Sequence, residues 1–524
     1  MHFYEIFITL SLWSSLCHYF YFRLLYHCNT VSLLFLISEI IILFLGCLNL
    51  NILLIGTMKY YYQLEDQITI SFYQLTDLPP ILIIIPTFNE DIQLINKTLD
   101  AVFQINYPKD KLSIVIGDDG NRLELKQFIE EHYSNIYYHT RQSIYGHAKA
   151  GNINDILFYQ NENGNYKYNG QFVLILDSDM IPKSNIIELL LPYFYKIDNL
   201  NNNNIMINSN CAFVQSPQCF YNIYGYDFLG QHYRFFYYVV LKAYRGFSRG
   251  VPCCGTNVMF QRIILNEIKG FQYGSITEDF NTSLLLHALE YESKYTLHQT
   301  ACGMAPLSFF DFYQQRKRWT IGGLQIFFRN WKTILQLPFV YQWIYGYGSL
   351  SSLFSIFYLF LFIGPLLDFY SSHSIYCFIP TMTYFYAIFP YTFIYIIILF
   401  FLHSHLSFQV LINSIQESIF MIPFYFQFVI IYFCKMCKLS SFSFAITPKT
   451  KSNNSSYCLS ILSYILLLPY LIYYIRSFMI FIYLIQNPSL FYHKMVNIFW
   501  IMVLLFQFFP PIAYNVQNFF KKIQ

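Results

Sequence analysis

Phe172-Val173-Leu174-Ile175-Leu176-Asp177-Ser178-Asp179 is the stretch whose reading decides the fold. Five apolar residues running straight into two carboxylates read as a buried strand that ends in an acidic turn. Carboxylates two positions apart at a strand end can hold a hard divalent cation. Mg²⁺ (or Mn²⁺) suits such oxygen ligands and commonly takes only one or two carboxylates where phosphates supply the rest. Surface loops hold many Asp-x-Asp triplets, so the apolar run in front carries the weight. The same texture repeats outward from it. Residues 81–86, 112–117 and 212–215 are further short apolar runs, and 92–103, 149–160 and 184–196 have helical pattern. Strands alternating with helices predict an α/β domain with a mostly parallel sheet covered on both faces. Such sheets bind ligands beyond the carboxyl ends of their strands.

Four more polar motifs flank these runs. Pro86-Thr87-Phe88-Asn89-Glu90 closes the first strand and Asp118-Asp119-Gly120 the second. Alone, each is ordinary turn chemistry. Thr277-Glu278-Asp279 opens a helical stretch at 280–289, with Thr277 as a candidate N-cap and two acids in the first turn. Asp279 is also a candidate general base, able to take the proton from an attacking hydroxyl. A single carboxylate acting through the acceptor, with no second nucleophile, implies one displacement and inversion. Gln315-Arg316-Lys317-Arg318-Trp319 lies in a predicted helix at 309–328, where Gln315 and Trp319 share a face with Arg318 beside them. Arg318 offers a planar fork for phosphate, and Trp319 a surface for a sugar ring. The plainer reading of that helix is an amphipathic one at a membrane interface.

In this order and spacing the motifs resemble the catalytic core of processive family-2 glycosyltransferases, which build β-linked polysaccharides at a membrane. Phe444-Ala445-Ile446-Thr447-Pro448-Lys449 resembles the gating loop of cellulose synthases and narrows the resemblance to them. The resemblance implies a cytosolic GT-A-type (Rossmann-like) domain inserted between transmembrane helices. It implies transfer of glucose from UDP-glucose to a growing β-1,4-glucan. It assigns Thr87, Glu90 and one of Asp118 and Asp119 to the uridine, with Asp119 preferred. His147-Ala148-Lys149-Ala150-Gly151-Asn152 resembles a family segment whose lysine, here Lys149, meets the nucleotide, as Thr447 and Lys449 would from the loop. Asp177 and Asp179 would hold the metal, Asp279 would be the base, and Gln315, Arg318 and Trp319 would meet the acceptor end and pyrophosphate. Glu278 and Cys254 would lie by the acceptor. The organisation expected here departs from bacterial cellulose synthases in lacking a carboxy-terminal domain that senses a cyclic dinucleotide and in having two spans before the domain, and from plant ones in lacking an amino-terminal zinc domain. Rival readings are a processive synthase of chitin, hyaluronan, mixed-link glucan or mannan, and a transporter with a degenerate transferase domain.

Composition supplies the membrane. The chain is 55% hydrophobic and 12% charged, against about 25% charged in soluble domains. A net charge of +3 does not argue for nucleic acid. Cys434 and Cys437 form one CxxC without the second pair a zinc ribbon needs. Apolar stretches at 3–22, 31–58, 348–368, 384–403, 458–484 and 492–514 predict six spans. The first reads as a retained anchor, since it lacks a basic start and a cleavage site. Residues 411–436 are apolar but interrupted by Asn413, Gln416, Glu417, Ser418 and Gln427, which predicts an interfacial helix. That topology keeps the lysines of 435–451 inside. The organisation expected is a membrane pair at 1–60, a catalytic domain at 79–335, and a channel region at 336–524 containing the gating loop 437–457. Both termini and the catalytic domain are expected to face the cytosol, with the plasma membrane as the expected location. Expected partners are the donor, the glucan and the lipid bilayer, with no nucleic acid; accessory subunits or a homo-oligomer are left open.

Overall fold

The computed structural model describes residues 3–26, 30–63, 70–75, 77–141, 146–198, 204–223, 230–370 and 381–437, with scattered positions between 472 and 502. Two long helices come first, α1 (Phe3–Leu25) and α2 (Thr30–Gln63). A seven-stranded sheet follows, built from β1 (Ile81–Thr87), β2 (Leu112–Asp118), β3 (Ile136–His139), β4 (Phe172–Ile175), β5 (Cys211–Gln215), β6 (Val258–Gln261) and β7 (Glu292–Tyr295). Its spatial order is β7-β5-β6-β4-β1-β2-β3. Around it lie α3 (Ile92–Phe103), α4 (Leu123–His132), α5 (Ala148–Phe158), α6 (Glu278–Ala288) and α7 (Phe309–Gln336). The remaining long helices are α8 (Ser355–Tyr370), α9 (Thr381–Leu402), α10 (Phe408–Phe420) and α11 (Ile422–Met436).

All seven residues of β1 are buried because the strand has helices on both sides. Its alternation sorts them: Ile81, Ile83 and Ile85 meet Ile95, Leu99 and Val102 of α3 and Leu125 and Ile129 of α4. Leu82 and Ile84 meet Ile153, Ile156 and Leu157 of α5 on the other face. Period 2 on the strand against spacings of three and four on the helices is what makes both layers close. Each fully buried Leu or Ile stabilises by about 1.5–3 kcal/mol. Asp91 starts α3 by accepting the Gln93 N–H at 2.8 Å.

The sheet is mixed but, as expected, mostly parallel: four of its six strand pairings are parallel, β5 with β7 among them. β1 is parallel to β2 and β4, and β2 to β3. β6 runs antiparallel to both β4 and β5. The reversal comes at Gly255 and Asn257, both at positive φ (81° and 54°), which turn the chain back between its neighbours. Four-residue strands such as β3, β6 and β7 are too short to show a period. The helix expected at 184–196 is also cut short. It spans Ile186–Leu190, passes through a 3₁₀ turn containing Pro192, and becomes a strand at Tyr195–Asp198.

Three helical segments are long and apolar enough to cross a membrane: Ser32–Tyr61, Phe339–Phe362 and Met382–Leu402. α1 falls outside that group, since Glu5, His18 and Arg23 dilute its apolar residues. The stretch expected as one interfacial helix is two, α10 and α11, bent by 41°. The spans expected at 458–484 and 492–514 and the loop 437–457 fall almost wholly outside the described residues.

The end of the apolar segment of α2 packs on residues 242–246 of the α/β domain. Arg245 stacks on the Tyr60 ring at 4.6 Å, and Lys242 donates to the Tyr61 hydroxyl at 3.1 Å. Gly56 and Gly246 make the approach possible. A β-carbon at Gly56 would collide with the Ala243 carbonyl, and one at Gly246 with the Gly56 carbonyl. Gly246→Val should therefore lower unfolding stability by about 1–3 kcal/mol, the scale of overpacking. Gly346→Ala, whose β-carbon meets only Ile334 at an ordinary 3.6 Å, should stay within about 0.5 kcal/mol. Denaturation of the two variants in detergent checks this, and equal effects would refute the tight crossing.

Candidate active site

The carboxyl ends of β1, β2 and β4 open onto one cleft of about 540 Å³. Register brings the motifs there. Thr87 pairs with Asp118 across β1 and β2, and the Asp119 N–H donates to the Thr87 carbonyl at 3.0 Å. The cleft is lined by Thr87, Glu90, Asp119, Lys149, Asp177, Asp179, Cys254, Glu278, Asp279, Gln315, Arg318 and Trp319.

Asp118 lies apart from these. Its carboxylate is fully buried and accepts from the Arg122 backbone and guanidinium, the Gly120 N–H and the Tyr138 hydroxyl. It anchors the turn, whereas Asp119 faces the cleft. Asp119 is gripped by Arg141, with Nε donating to Oδ1 at 2.7 Å and Nη2 to Oδ2, and by Asn152 at 2.9 Å. Arg122 also ties the first motif, donating to the Thr87 hydroxyl and the Glu90 carbonyl. Glu90 in turn accepts from the Thr87 hydroxyl and the Phe88 N–H.

Lys149 sits at the start of α5, just after His147 and Ala148, both at positive φ. Its ammonium donates to Asp177 Oδ1 at 2.6 Å and to the Gly255 carbonyl at 2.7 Å. Burial alone would lower its pKa. The charges of Asp177, Glu278 and Asp279 offset that and hold it well above the usual lysine range. Asp179 is buried and accepts the Met304 N–H at 3.2 Å. The donor set around this pair is oxygen from two carboxylates, which fits Mg²⁺ or Mn²⁺ sharing its shell with a diphosphate. Among the described residues no group of three or more His, Cys, Asp and Glu forms a protein-only metal site.

Glu278 and Asp279 open α6 opposite Lys149. Thr277 occupies the N-cap position, but its side chain does not cap the helix; its hydroxyl pairs with that of Ser275 instead. Asp279 Oδ1 accepts the Phe280 N–H at 2.8 Å, which fixes the carboxylate. Burial raises the Asp279 pKa, against the pull of Lys149 and Arg318. Burial and the Asp279 charge push Glu278 up to about 7. Gly255 keeps its neighbour's place clear, since a β-carbon there would come within 2.6 Å of Asp279 Oδ2.

The far wall comes from α7. Gln315, Arg318 and Trp319 line the cleft, and Tyr233 supports two of them. Its hydroxyl donates to Gln315 Oε1 at 2.5 Å, and its ring meets Trp319 edge-on at 6.3 Å. Thr447 and Lys449 lie outside the described residues. Sequence reasoning passed over Arg141, Arg122 and Tyr233, which no motif marks. Asn152 stood inside the quoted lysine segment and could have been found there.

Residues 79–322 match the family model described as glycosyltransferase like family 2, and residues 265–422 match that of cellulose synthase. Residues 79–322 are thus similar to a family-2 glycosyltransferase domain. Their sheet is a mixed α/β one, compatible with the GT-A-type expectation. A UDP-forming cellulose synthase from Dictyostelium discoideum is 36% identical over 192 residues, 36% of this chain and 17% of that protein. A second, from Pseudomonas fluorescens, is 28% identical over 256 residues, 48% of this chain and 32% of that protein. The chain thus spans a third or less of the length of these relatives. Among solved structures, a mannosyltransferase from Pyrobaculum calidifontis aligns with a TM-score of 0.47 at 16% identity, over 73% of this chain and 99% of that one.

Because Lys149 already holds Asp177, Lys149→Met should strengthen binding of Mn²⁺ alone, read by electron paramagnetic resonance without nucleotide. Unchanged or weaker binding would show that the ion pair does not compete for the carboxylate.

Proposed function

We propose that the protein is a membrane-embedded, processive, inverting glycosyltransferase that polymerises UDP-glucose into β-1,4-glucan and passes the chain across the membrane. The observation that carries this reading is the gathering of five separate motifs around one cleft, with carboxylates and Lys149 at one side and Trp319 at the other. Thr87, Glu90 and Asp119 would hold the nucleoside, with Arg141 and Asn152 fixing Asp119. Lys149 and Arg318 would meet the departing diphosphate, with Lys149 exchanging Asp177 for phosphate oxygens. A divalent cation held by Asp177 and Asp179 would offset negative charge on that leaving group. Asp279 would take the proton from the acceptor hydroxyl as the sugar C1 is attacked, so that an α-linked donor yields a β-linkage. Trp319 would stack on the terminal acceptor sugar, flanked by Gln315, Glu278 and Cys254. Thr447 and Lys449 keep the lid role that the resemblance implies. The catalytic domain then faces the cytosol and the apolar helices carry the chain outward, consistent with the three segments long and apolar enough to cross a membrane.

Sugar incorporation in proteoliposomes tests this, with Mg²⁺ and UDP-glucose, UDP-N-acetylglucosamine or GDP-mannose supplied separately. Insoluble polymer from UDP-glucose alone, cleaved by a β-1,4-glucanase, is expected. Asp279→Asn should lower it by roughly 100- to 10,000-fold, the scale of a lost general base. Polymer from another donor only would overturn the substrate, and neither polymer nor UDP release from any donor would overturn the reading.

The raised carboxylates give a pH signature. The base works when deprotonated, and its folded-state pKa is raised. Activity should therefore fall as pH drops, with the midpoint of the acid limb above the ordinary Asp value of about 3.9. Glu278 is the group that the Asp279 charge pushes up, so Glu278→Gln should leave that limb in place in a kcat/KM profile. A limb that moves to lower pH would show that the Glu278 charge acts on the base.

A further inference from the structure

Arg316 stands in the middle of the motif that lines the acceptor wall, yet it points away from the cleft. Its side chain is 3% exposed and pairs with Glu417 of α10, itself 2% exposed, through Nη2–Oε1 at 2.8 Å. The guanidinium carbon lies 4.8 Å from the Trp319 ring, 4.7 Å from Phe312 and 5.6 Å from Tyr233. Tyr233 is the residue that holds Gln315 and braces Trp319. The rear of the acceptor wall is therefore a small stack of rings around one cation, and the anion that fixes the cation comes from another helix.

The character of α10 makes that anion more than an incidental contact. Glu417 shares a buried polar face with Asn413 and Gln416, at helical spacings of three and four. Burying such a face in an otherwise apolar stretch is costly unless each group has a use. A carboxylate there holds one guanidinium nitrogen by a charge-assisted hydrogen bond. The rings of Trp319 and Phe312 then pack on a cation whose position is set from outside the α/β domain.

We propose that Glu417 is a positioning residue for sugar transfer: through Arg316 it sets the Trp319 ring and, through Tyr233, Gln315, so that the acceptor end lies in line with the donor sugar. This rests on the transferase reading given above. Glu417 touches neither donor nor acceptor. It makes the placement of α10, beyond the catalytic fold, a condition for productive transfer.

The readout is the partition between transfer and hydrolysis of the donor. Misplacing an acceptor by about 1 Å costs roughly 100-fold in rate, while water needs no such platform. The full chain in proteoliposomes with UDP-glucose and Mg²⁺ is assayed for incorporated glucose, free glucose and UDP. Binding of UDP is measured alongside by calorimetry. Glu417→Gln should cut incorporation by roughly 10- to 100-fold, raise the share of free glucose, and leave UDP affinity within about twofold. Glu417→Asp, which keeps the charge, should recover part of the transfer. The pair Arg316→Met with Glu417→Leu removes both charges without orphaning either, so it keeps the fold; it should also fail in transfer while binding UDP. Transfer at the unaltered level in that pair would overturn the proposal. So would parallel loss of UDP binding and transfer in Glu417→Gln without recovery in Glu417→Asp, which would mark the pair as structural support only. An unaltered chain that neither binds nor turns over UDP-glucose would instead bring down the transferase reading itself.

Discussion

Among the described residues, Lys149 is the ammonium set between Asp177, Glu278 and Asp279 in the cleft, and the layout of the site depends on it. It reaches Asp177 from the start of α5 and bonds the Gly255 carbonyl on the turn before β6. That single group therefore joins the β4 end of the cleft to the side where Asp279 stands. Three carboxylates in a recessed site would repel one another and protonate. The cation among them opposes the rise that burial imposes on Asp279, while burial and the Asp279 charge still push Glu278 up to about 7. Moving Lys149 off Asp177 would therefore alter charge balance across the whole cleft at once.

Much of this was legible in the residues. β1, β2 and β4 are apolar runs with polar ends, and a strand buried on both faces must read that way. Ile95, Leu99 and Val102 announce α3 by their spacing. What escaped was set by tertiary contacts. β6 has four residues and an antiparallel course that only its turn at Gly255 and Asn257 dictates. Asp118 and Asp119 are chemically identical neighbours, so which one faces the cleft follows from the side on which Arg122 and Tyr138 stand. Arg141 and Tyr233 carry no motif because their work is to hold other residues. Thr277 had the composition of a cap, but its hydroxyl found Ser275 first.

The membrane-facing part behaves differently. Its sequence announces apolar length well and geometry poorly. Glu417 first reads as a blemish in an apolar stretch. In the fold it is one end of a buried ion pair whose other end sits in the acceptor motif. The bend of 41° between α10 and α11 falls at Met421, beside Pro423 near the start of the second helix, where proline is tolerated because the first turn has no partner for an N–H.

The crossing at Gly56 and Gly246 bears on mechanics. Backbone lies directly on backbone there, so α2 cannot roll about its axis without driving a side chain into the α/β domain. The apolar segment Ser32–Tyr61 has 30 residues, about 45 Å of helix at 1.5 Å per residue, and exceeds a hydrocarbon core of about 30 Å. A helix that long tilts to fit its bilayer. In a bilayer, with no slack at the glycine contact, that tilt would be handed on as a rocking of the α/β domain, and lipid thickness would set the angle at which the cleft meets the membrane.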